Sequence, residues 1–466
     1  VSERKDAHGL HDRGKSLAAH RRYGEAIACF DRALTLRPNL VEALHDRGIA
    51  LRCLSRSVEA LASHDRALAL RPDDAEGHYN RGNALFELRR YDEALASYER
   101  ALADRPAFIE ALHSRAITLR NLHRCAEALA SHDCALAIRP DDAIGLYNRG
   151  LALQQLGRAA EALSAYDHAL ALRPRFDEAH YQRGTALFAL RRHEEALSAF
   201  DQVLLRHPGC APAHLNRATV LRVLRRPQEA VTAYRRALEC GADREEIEYF
   251  LAGLGAAPLP ATAPRRVVTA LFDQCADEFE MHLAGLLKYR APDLIAVQIA
   301  RFVKARDLDV LDLGCGTGLV GARLRALARS LTGVDLSAKM LEQARRRNIY
   351  DRLVRADLIE FLRAEAMRFD LVVAGDVFIY VGDLAEAFRG VRGALTAGGH
   401  FGFSVETSDA GDFFLGSALR YAHSTRYLRR LADANGFALV DIERAIIRQE
   451  EGVDVDGDVV LMRAPD

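Results

Sequence analysis

Ala75-Glu-Gly-His-Tyr-Asn-Arg-Gly-Asn-Ala-Leu-Phe-Glu-Leu-Arg-Arg-Tyr-Asp-Glu-Ala-Leu-Ala-Ser-Tyr-Glu-Arg-Ala-Leu-Ala-Asp-Arg-Pro106 decides the first half of the chain. Its apolar residues return every three or four positions, which is helical spacing, and the stretch holds two helices. Pro106 ends the second, because proline lacks the amide hydrogen and disfavours helix in the residue before it. The stretch is one of a series: Pro38, Pro72, Pro106, Pro140, Pro174 and Pro208 stand 34 residues apart, with Ala26 to Ala230 and Leu17 to Leu221 on the same register. Seven units therefore fill residues 7–244. Gly14, Gly48, Gly82, Gly150 and Gly184 leave room for the first helix of a unit to approach the recurrent Ala of the second, and Ala116 and Ala218 are the next smallest choice.

This pattern resembles the tetratricopeptide repeat, with Gly82, Ala94, Tyr98, Ala101 and Pro106 on its small-residue, Ala, aromatic and Pro positions. The family's first large aromatic is replaced by Leu10, Leu44, Leu112 and Leu146 or by His78, His180 and His214, and its second-helix aromatic by His64 and His132. The resemblance implies an all-α solenoid that binds a protein or peptide on its concave face. Asn80, Asn148 and Asn216 share one position, suited to a ligand ladder or to a solvated face. The next position is Arg in every unit, from Arg13 to Arg217, and six units carry an acid eighteen residues on, at Asp31, Asp65, Glu99, Asp133, Asp167 and Asp201. Ion pairing between stacked helices is the expectation, and a basic stripe for an acidic peptide is the alternative.

The whole chain of 466 residues is too long for one small domain, and 64 Lys+Arg against 65 Asp+Glu leave a net charge of -1. That balance offers no general attraction to nucleic acid or to an anionic membrane. No apolar run approaches the ~20 residues of a membrane span. The opening Val-Ser-Glu-Arg-Lys-Asp is too polar for a secretory signal, and the eight cysteines form no C-x-x-C or Cys/His cluster. A cytoplasmic protein with no metal site is expected.

After residue 244 the period stops. Residues 245–254 read as a capping helix, and Gly255-Ala-Ala-Pro-Leu-Pro-Ala-Thr-Ala-Pro264 as a semi-rigid linker, the two together spanning 245–265. From 266 to 466 short apolar strands at 310–313, 331–334, 353–356, 370–374, 400–405 and 438–444 alternate with helical segments, and 452–463 reads as an antiparallel strand at the end. This predicts an α/β domain with a mostly parallel, seven-stranded, Rossmann-like sheet.

The chemistry lies just after the first strand, in Val310-Leu-Asp-Leu-Gly-Cys-Gly-Thr-Gly318. Gly314, Gly316 and Gly318 allow a sharp turn and bring main-chain amides close to a ligand at the start of the next helix. Asp335, ending the second strand, is placed to accept both hydroxyls of a ribose, and Asp357, ending the third, an adenine amine. Gly316-x-Gly318-x-x-Gly321 also fits a nicotinamide-dinucleotide fingerprint. The context favours another family: Asp312 directly before the glycines, acids at successive strand ends and Ala397-Gly-Gly399 before the fifth strand resemble class I S-adenosylmethionine-dependent methyltransferases, and the whole arrangement looks like the bacterial members that carry tetratricopeptide repeats.

That resemblance implies S-adenosyl-L-methionine as cofactor. It assigns Asp312, Gly314, Gly316 and Gly318 to the loop holding its amino-acid tail, Cys315 to a spacer in that loop, and Asp335 and Asp357 to ribose and adenine. Leu336 and Met340 would pack on the adenine, and Leu358 would offer it backbone. Asp376, after the fourth strand, would face the acceptor as base or structural acceptor. Phe279 and Tyr289 would cap the site, and Arg290 would pair with the cofactor carboxylate. His423 and Tyr427, beside a helix that Ser424 caps, are candidate acceptor contacts.

The acceptor, a small molecule or a protein, is narrowed by the segment after the fourth strand. Gly375-Asp-Val-Phe-Ile-Tyr380 is not the N-P-P-Y of nucleobase or glutamine enzymes, and neither a Pro-Cys nor the paired glutamates of arginine methyltransferases occur there. No basic, aromatic-interleaved patch points to nucleic acid. The expected function is methyl transfer with the repeats recruiting a protein. The alternatives are a scaffold with a cofactor-sensing or inactive methyltransferase domain, and a small-molecule enzyme whose repeats serve assembly.

Overall fold

In the computed structural model, which describes residues 2–276, 289–450 and 452–466, the chain divides into two compact units, Val1–Leu224 and Arg225–Asp466. The first unit is built of antiparallel helix pairs. In the third repeat the pair is Ala75–Glu87 and Tyr91–Asp104. Asp74 caps the first of these by accepting from the amides of Glu76 and Gly77. Arg90 opens the second and binds Glu93 through two parallel contacts of 2.6 and 2.7 Å. The same Arg–Glu clasp recurs from Arg22–Glu25 to Arg192–Glu195. Arg105 leaves helical geometry ahead of Pro106, as the proline requires.

The recurrent glycines meet an aromatic or imidazole ring, not the expected Ala. A Cβ on Gly82 would stand 2.5 Å from the Tyr98 ring, one on Gly48 2.5 Å from His64 and one on Gly184 2.7 Å from Phe200. The imidazoles of His64 and His132 thus occupy the ring's slot, and both are fully buried. Among the described residues Arg47, Arg81, Arg149, Arg183 and Arg217 of the arginine row are ion-paired, but across the unit boundary, whereas Arg115 Nε is buried without a hydrogen-bond partner. Arg47 meets Asp31 at 2.6 Å, Arg81 Asp65 at 2.7 Å and Arg149 Asp133 at 2.6 Å. The partner lies sixteen residues back in the preceding repeat, because the next first helix stacks beside the previous second helix.

In the second unit, β1 (Leu308–Leu313), β2 (Ala328–Asp335), β3 (Arg352–Arg355), β4 (Phe369–Ala374) and β5 (Leu395–Thr407) form a parallel core in the order β3-β2-β1-β4-β5. Helices alternate with these strands, and the chain reverses direction across the sheet between β1 and β4. β8 (Ala438–Glu450) and β9 (Val453–Arg463) add an antiparallel hairpin, with β9 against β5. β6 (Phe413–Leu415) and β7 (Tyr421–His423) make the sheet nine-stranded where seven strands were expected, since three-residue strands are too short to show an alternating pattern. Phe378, Phe388, Phe401, Phe403 and Phe437 pack edge to face over one side of the sheet.

The stretch 255–264 is not a free spacer. Ala261 O accepts from the amides of Gly382 and Asp383 at 2.8 and 2.9 Å, Ala263 N donates to Tyr380 O at 2.9 Å, and Tyr421 donates to Pro260 O at 2.8 Å. The preceding helix Arg244–Gly253 is anchored in the same unit by Tyr249, whose hydroxyl donates to Leu419 O at 2.6 Å. No helix among the described residues is long and apolar enough to cross a membrane.

Candidate active site

The switch between β1 and β4 leaves a crevice at the carboxyl ends of the strands, where ligands of open α/β sheets bind. A cavity of about 200 Å³ lies there. One wall is the loop after β1: Gly314, Gly316 and Gly318 all take positive φ, at 62°, 54° and 93°, a region that glycine enters without strain. A side chain at Gly314 would also strike Val377. Gly314, Cys315 and Gly316 line the cavity, while Gly318 lies beyond the lining, against Tyr350 and Arg347. The Cys315 thiol is pushed well up by burial and then by the nearby carboxylates of Asp312 and Asp335, which suits a spacer and not a nucleophile.

Asp335 ends β2 on the cavity. The amide of Gly316 donates to its Oδ2 and that of Ser337 to its Oδ1, both at 2.8 Å, so each oxygen is aimed and keeps a lone pair. Burial raises its pKa against these hydrogen bonds. Asp357 ends β3, caps the helix Leu358–Ala364 through the amides of Ile359 and Glu360, and faces Arg265 at 3.4 Å. Leu336 and Leu358 complete this wall.

At the opposite end Asp376 stands after β4 with φ 58°, a left-handed conformation that costs a non-glycine residue energy and that its neighbours must hold. Its amide donates to Ser404 Oγ at 2.9 Å, and both carboxylate oxygens accept from Arg448 Nη1 at 2.9 Å. Arg448 is 2% exposed. Its Nε donates to Glu450 at 2.8 Å, its Nη2 binds Glu406, and Arg420 contacts Glu450 from the other side. Phe272, Tyr289 and Tyr380 roof the chamber. Burial drives the Tyr289 and Tyr380 hydroxyls up, so both stay protonated at neutral pH.

Several expected contacts fall elsewhere. Asp312 lies behind the glycine loop, 1% exposed, where its Oδ2 accepts from the Tyr350 hydroxyl at 2.7 Å; burial pushes its carboxyl up to about 7, and it braces the loop without reaching the cavity. Met340 is fully buried off the lining. Arg290 is exposed and off the lining too, held by its backbone amide to Ile447 O at 2.8 Å. His423 is fully buried, with Nε2 donating to the carbonyls of Val381 and Gly382 at 2.9 and 3.0 Å, and desolvation lowers its pKa to about 4. Tyr427 stacks on it, donates to Asp383 and accepts from the amide of Leu384, each at 2.9 Å. Both hold the turn after Tyr380 and neither lines the cavity, which corrects their reading as acceptor contacts. Phe279 lies outside the described residues. Sequence reasoning missed Arg448 and the wall supplied by Thr262 and Ala263; Phe272 opens the segment read as a lid and Arg420 the insert read as lying near the substrate mouth, but neither was given a role of its own.

A glycine-turned loop with acids after the next two strands is the arrangement in which Rossmann-like sheets commonly bind nucleotides. Residues 311–401 match the family model of a methyltransferase domain. Models of the tetratricopeptide repeat match 7–40, 58–88, 75–103, 143–176 and 181–245. The chain therefore carries tetratricopeptide repeats and a methyltransferase domain.

A malonyl-[acyl-carrier protein] O-methyltransferase of Enterobacter lignolyticus is 32% identical over 146 residues, which are 31% of this chain and 56% of that protein. Methyltransferase-like protein 27 of Homo sapiens is 41% identical over 85 residues, 18% of this chain and 34% of its own. The chain spans about half the length of the first of these. Among solved structures, a tetratricopeptide repeat protein from Parabacteroides merdae covers 52% of this chain and 96% of its own at 18% identity, with a TM-score of 0.43.

Proposed function

We propose that the second unit transfers a methyl group from S-adenosyl-L-methionine to an acceptor that the repeats bring to it as, or on, a protein. The observation that carries this is Asp335, half-buried on the cavity with both oxygens aimed by backbone amides and still able to accept. A vicinal diol is the group such a carboxylate suits. Gly314 and Gly316 offer main chain bare of side chains to an amino-acid tail, and Leu336 and Leu358 an apolar slot to a base, with Asp357 at its edge. When bound, the cofactor supplies a methyl carbon made electrophilic by a sulfonium.

The chain's part is positioning and exclusion of water. Phe272, Tyr289 and Tyr380 shield the chamber, and their ring faces suit a neighbouring cation. Asp376, fixed by Ser404 and Arg448, orients the acceptor's nucleophilic atom from the side opposite Asp335. Some relatives methylate a group carried on an acyl-carrier protein. A repeat array that recruits a protein would serve an acceptor delivered that way.

Calorimetric titration of S-adenosylmethionine into the full chain and into Asp335→Ala tests the site. Binding by the wild type and a loss of about tenfold or more in the variant is expected, since one hydrogen-bonded charged contact is worth about 1.5–3 kcal/mol. A folded wild type that binds none would overturn the reading.

A further inference from the structure

The second and fourth repeats present the same three-residue arrangement toward the next repeat, offset by two periods, and one copy lacks its charge partner. In the first copy Arg52 Nη1 donates to Glu87 Oε1 at 2.9 Å, and Ser57 donates to Glu87 Oε2 at 2.6 Å. In the second copy Arg120 stands for Arg52, Cys125 for Ser57 and Gln155 for Glu87. The Cys125 thiol still points at Gln155 Oε1, at 3.4 Å. The carboxylate has become an amide, and among the described residues no acid lies within ion-pair distance of the half-buried Arg120 guanidinium. A cation partly withdrawn from water without a counter-charge favours an incoming anion.

Arg120 opens onto a groove of about 570 Å³ across the first helices of the fourth, fifth and sixth repeats, Ile109–Asn121, Ala143–Gln155 and Asp177–Ala189. Tyr147 and Leu151 give it an apolar floor, and Asn121, Gln155 and Gln182 place amides along it. Such a floor takes one apolar side chain, and such amides pair with the peptide groups of an extended strand. First helices continue on both sides of the groove, at Ala75–Glu87 and Ala211–Val223, which leaves a bound chain room to run past it in either direction.

We propose that this groove binds an extended peptide segment through an internal Asp or Glu side chain, which pairs with Arg120 as Glu87 pairs with Arg52. The inference rests on the reading of the repeats as the protein-recruiting half of the molecule and names the chemistry they recognise.

The test is selection of random twelve-residue peptides, acetylated and amidated, on the full-length protein, and then fluorescence anisotropy of the enriched peptides. The expected peptides share one Asp or Glu, whose exchange for Asn or Gln weakens binding about tenfold. Arg120→Gln should cause the same loss. Gln155→Glu, which rebuilds the internal pair already present at Arg52 and Glu87, should also cost about tenfold while the melting temperature holds or rises, and that separates ligand loss from misfolding. Enriched peptides without an acid, or with equal affinity for wild type and Arg120→Gln, would overturn the proposal while leaving the recruiting role intact. Binding only by peptides with a free C-terminal carboxylate would overturn it as well. If no peptide is enriched, the recruiting role falls together with it.

Discussion

His64 and His132 occupy slots that other repeats fill with Phe30, Tyr98, Tyr166 or Phe200. Each imidazole packs on another, His64 on His45 with Nδ1 atoms 3.4 Å apart and His132 on His113 at 3.1 Å, and the outer ring reaches Asp74 or Asp142 at 2.9 Å. Burial first, then the neighbouring histidine and the guanidinium of Arg52 or Arg120, lowers both buried imidazoles to about 3. The folded state holds them neutral, whereas the unfolded chain protonates them below about 6.5. Their contribution to stability is complete above that value and shrinks as pH falls toward 3, costing on the order of 3 kcal/mol per residue by pH 4. The melting temperature of the first unit should therefore drop steeply between pH 6.5 and 4, as monitored by circular dichroism. A His64→Phe variant should flatten that slope by about half, because phenylalanine already fills the slot opposite Gly14 and Gly184 as His64 does opposite Gly48.

Among the elements, the helix Arg244–Gly253 and the strand-like run 255–264 belong to the methyltransferase unit by their bonds. Tyr249 caps Leu419, Ala261 holds the turn at Gly382, and Thr262 and Ala263 wall the cavity. A fragment of residues 225–466 should melt cooperatively, and one of 266–466 should lose several kcal/mol, since it strips three backbone hydrogen bonds and uncovers the buried Tyr421 ring. Scanning calorimetry of the two fragments compares them directly. The linker's proline content signals extended chain correctly, but composition holds no trace of the turn it pairs with more than a hundred residues later. The repeats were legible because each unit repeats a local pattern, from Pro38 to Pro208. The glycine loop and the acids Asp335 and Asp357 were legible because loop, strand end and helix start are adjacent in sequence. Arg448 was not, since only long-range pairing buries that guanidinium, and β6 and β7 were not, since each is only three residues long. His423 and Tyr427 misled for the opposite reason: polar atoms beside a site were read as facing it, whereas their bonds go to the backbone of residues 381–384.

For the molecule as a whole, recruitment and chemistry are assigned to different units, and the kinetic signature of that division is a specific one. If the repeats only concentrate a protein-borne acceptor, a 225–466 fragment should keep the turnover number of the full chain at saturation while its KM for that acceptor rises about tenfold or more, the effective-concentration gain of a tethered binding module. Steady-state assays of radiolabel transfer from the methyl donor, run on both proteins, measure it. Equal KM values would instead assign the repeats to assembly.

One row of ion pairs in the solenoid runs backwards, Arg47, Arg81, Arg149, Arg183 and Arg217 each reaching the acid of the repeat before, as in Arg81 to Asp65 and Arg183 to Asp167. The junctions that carry this pair are alike in it. Loss or duplication of a whole unit by recombination between repeated codons rejoins an arginine to a fitting acid, whereas a break at any other phase strands both charges. A change of the array by one whole unit at such junctions would therefore keep this row of pairs intact and alter the length of the surface alone.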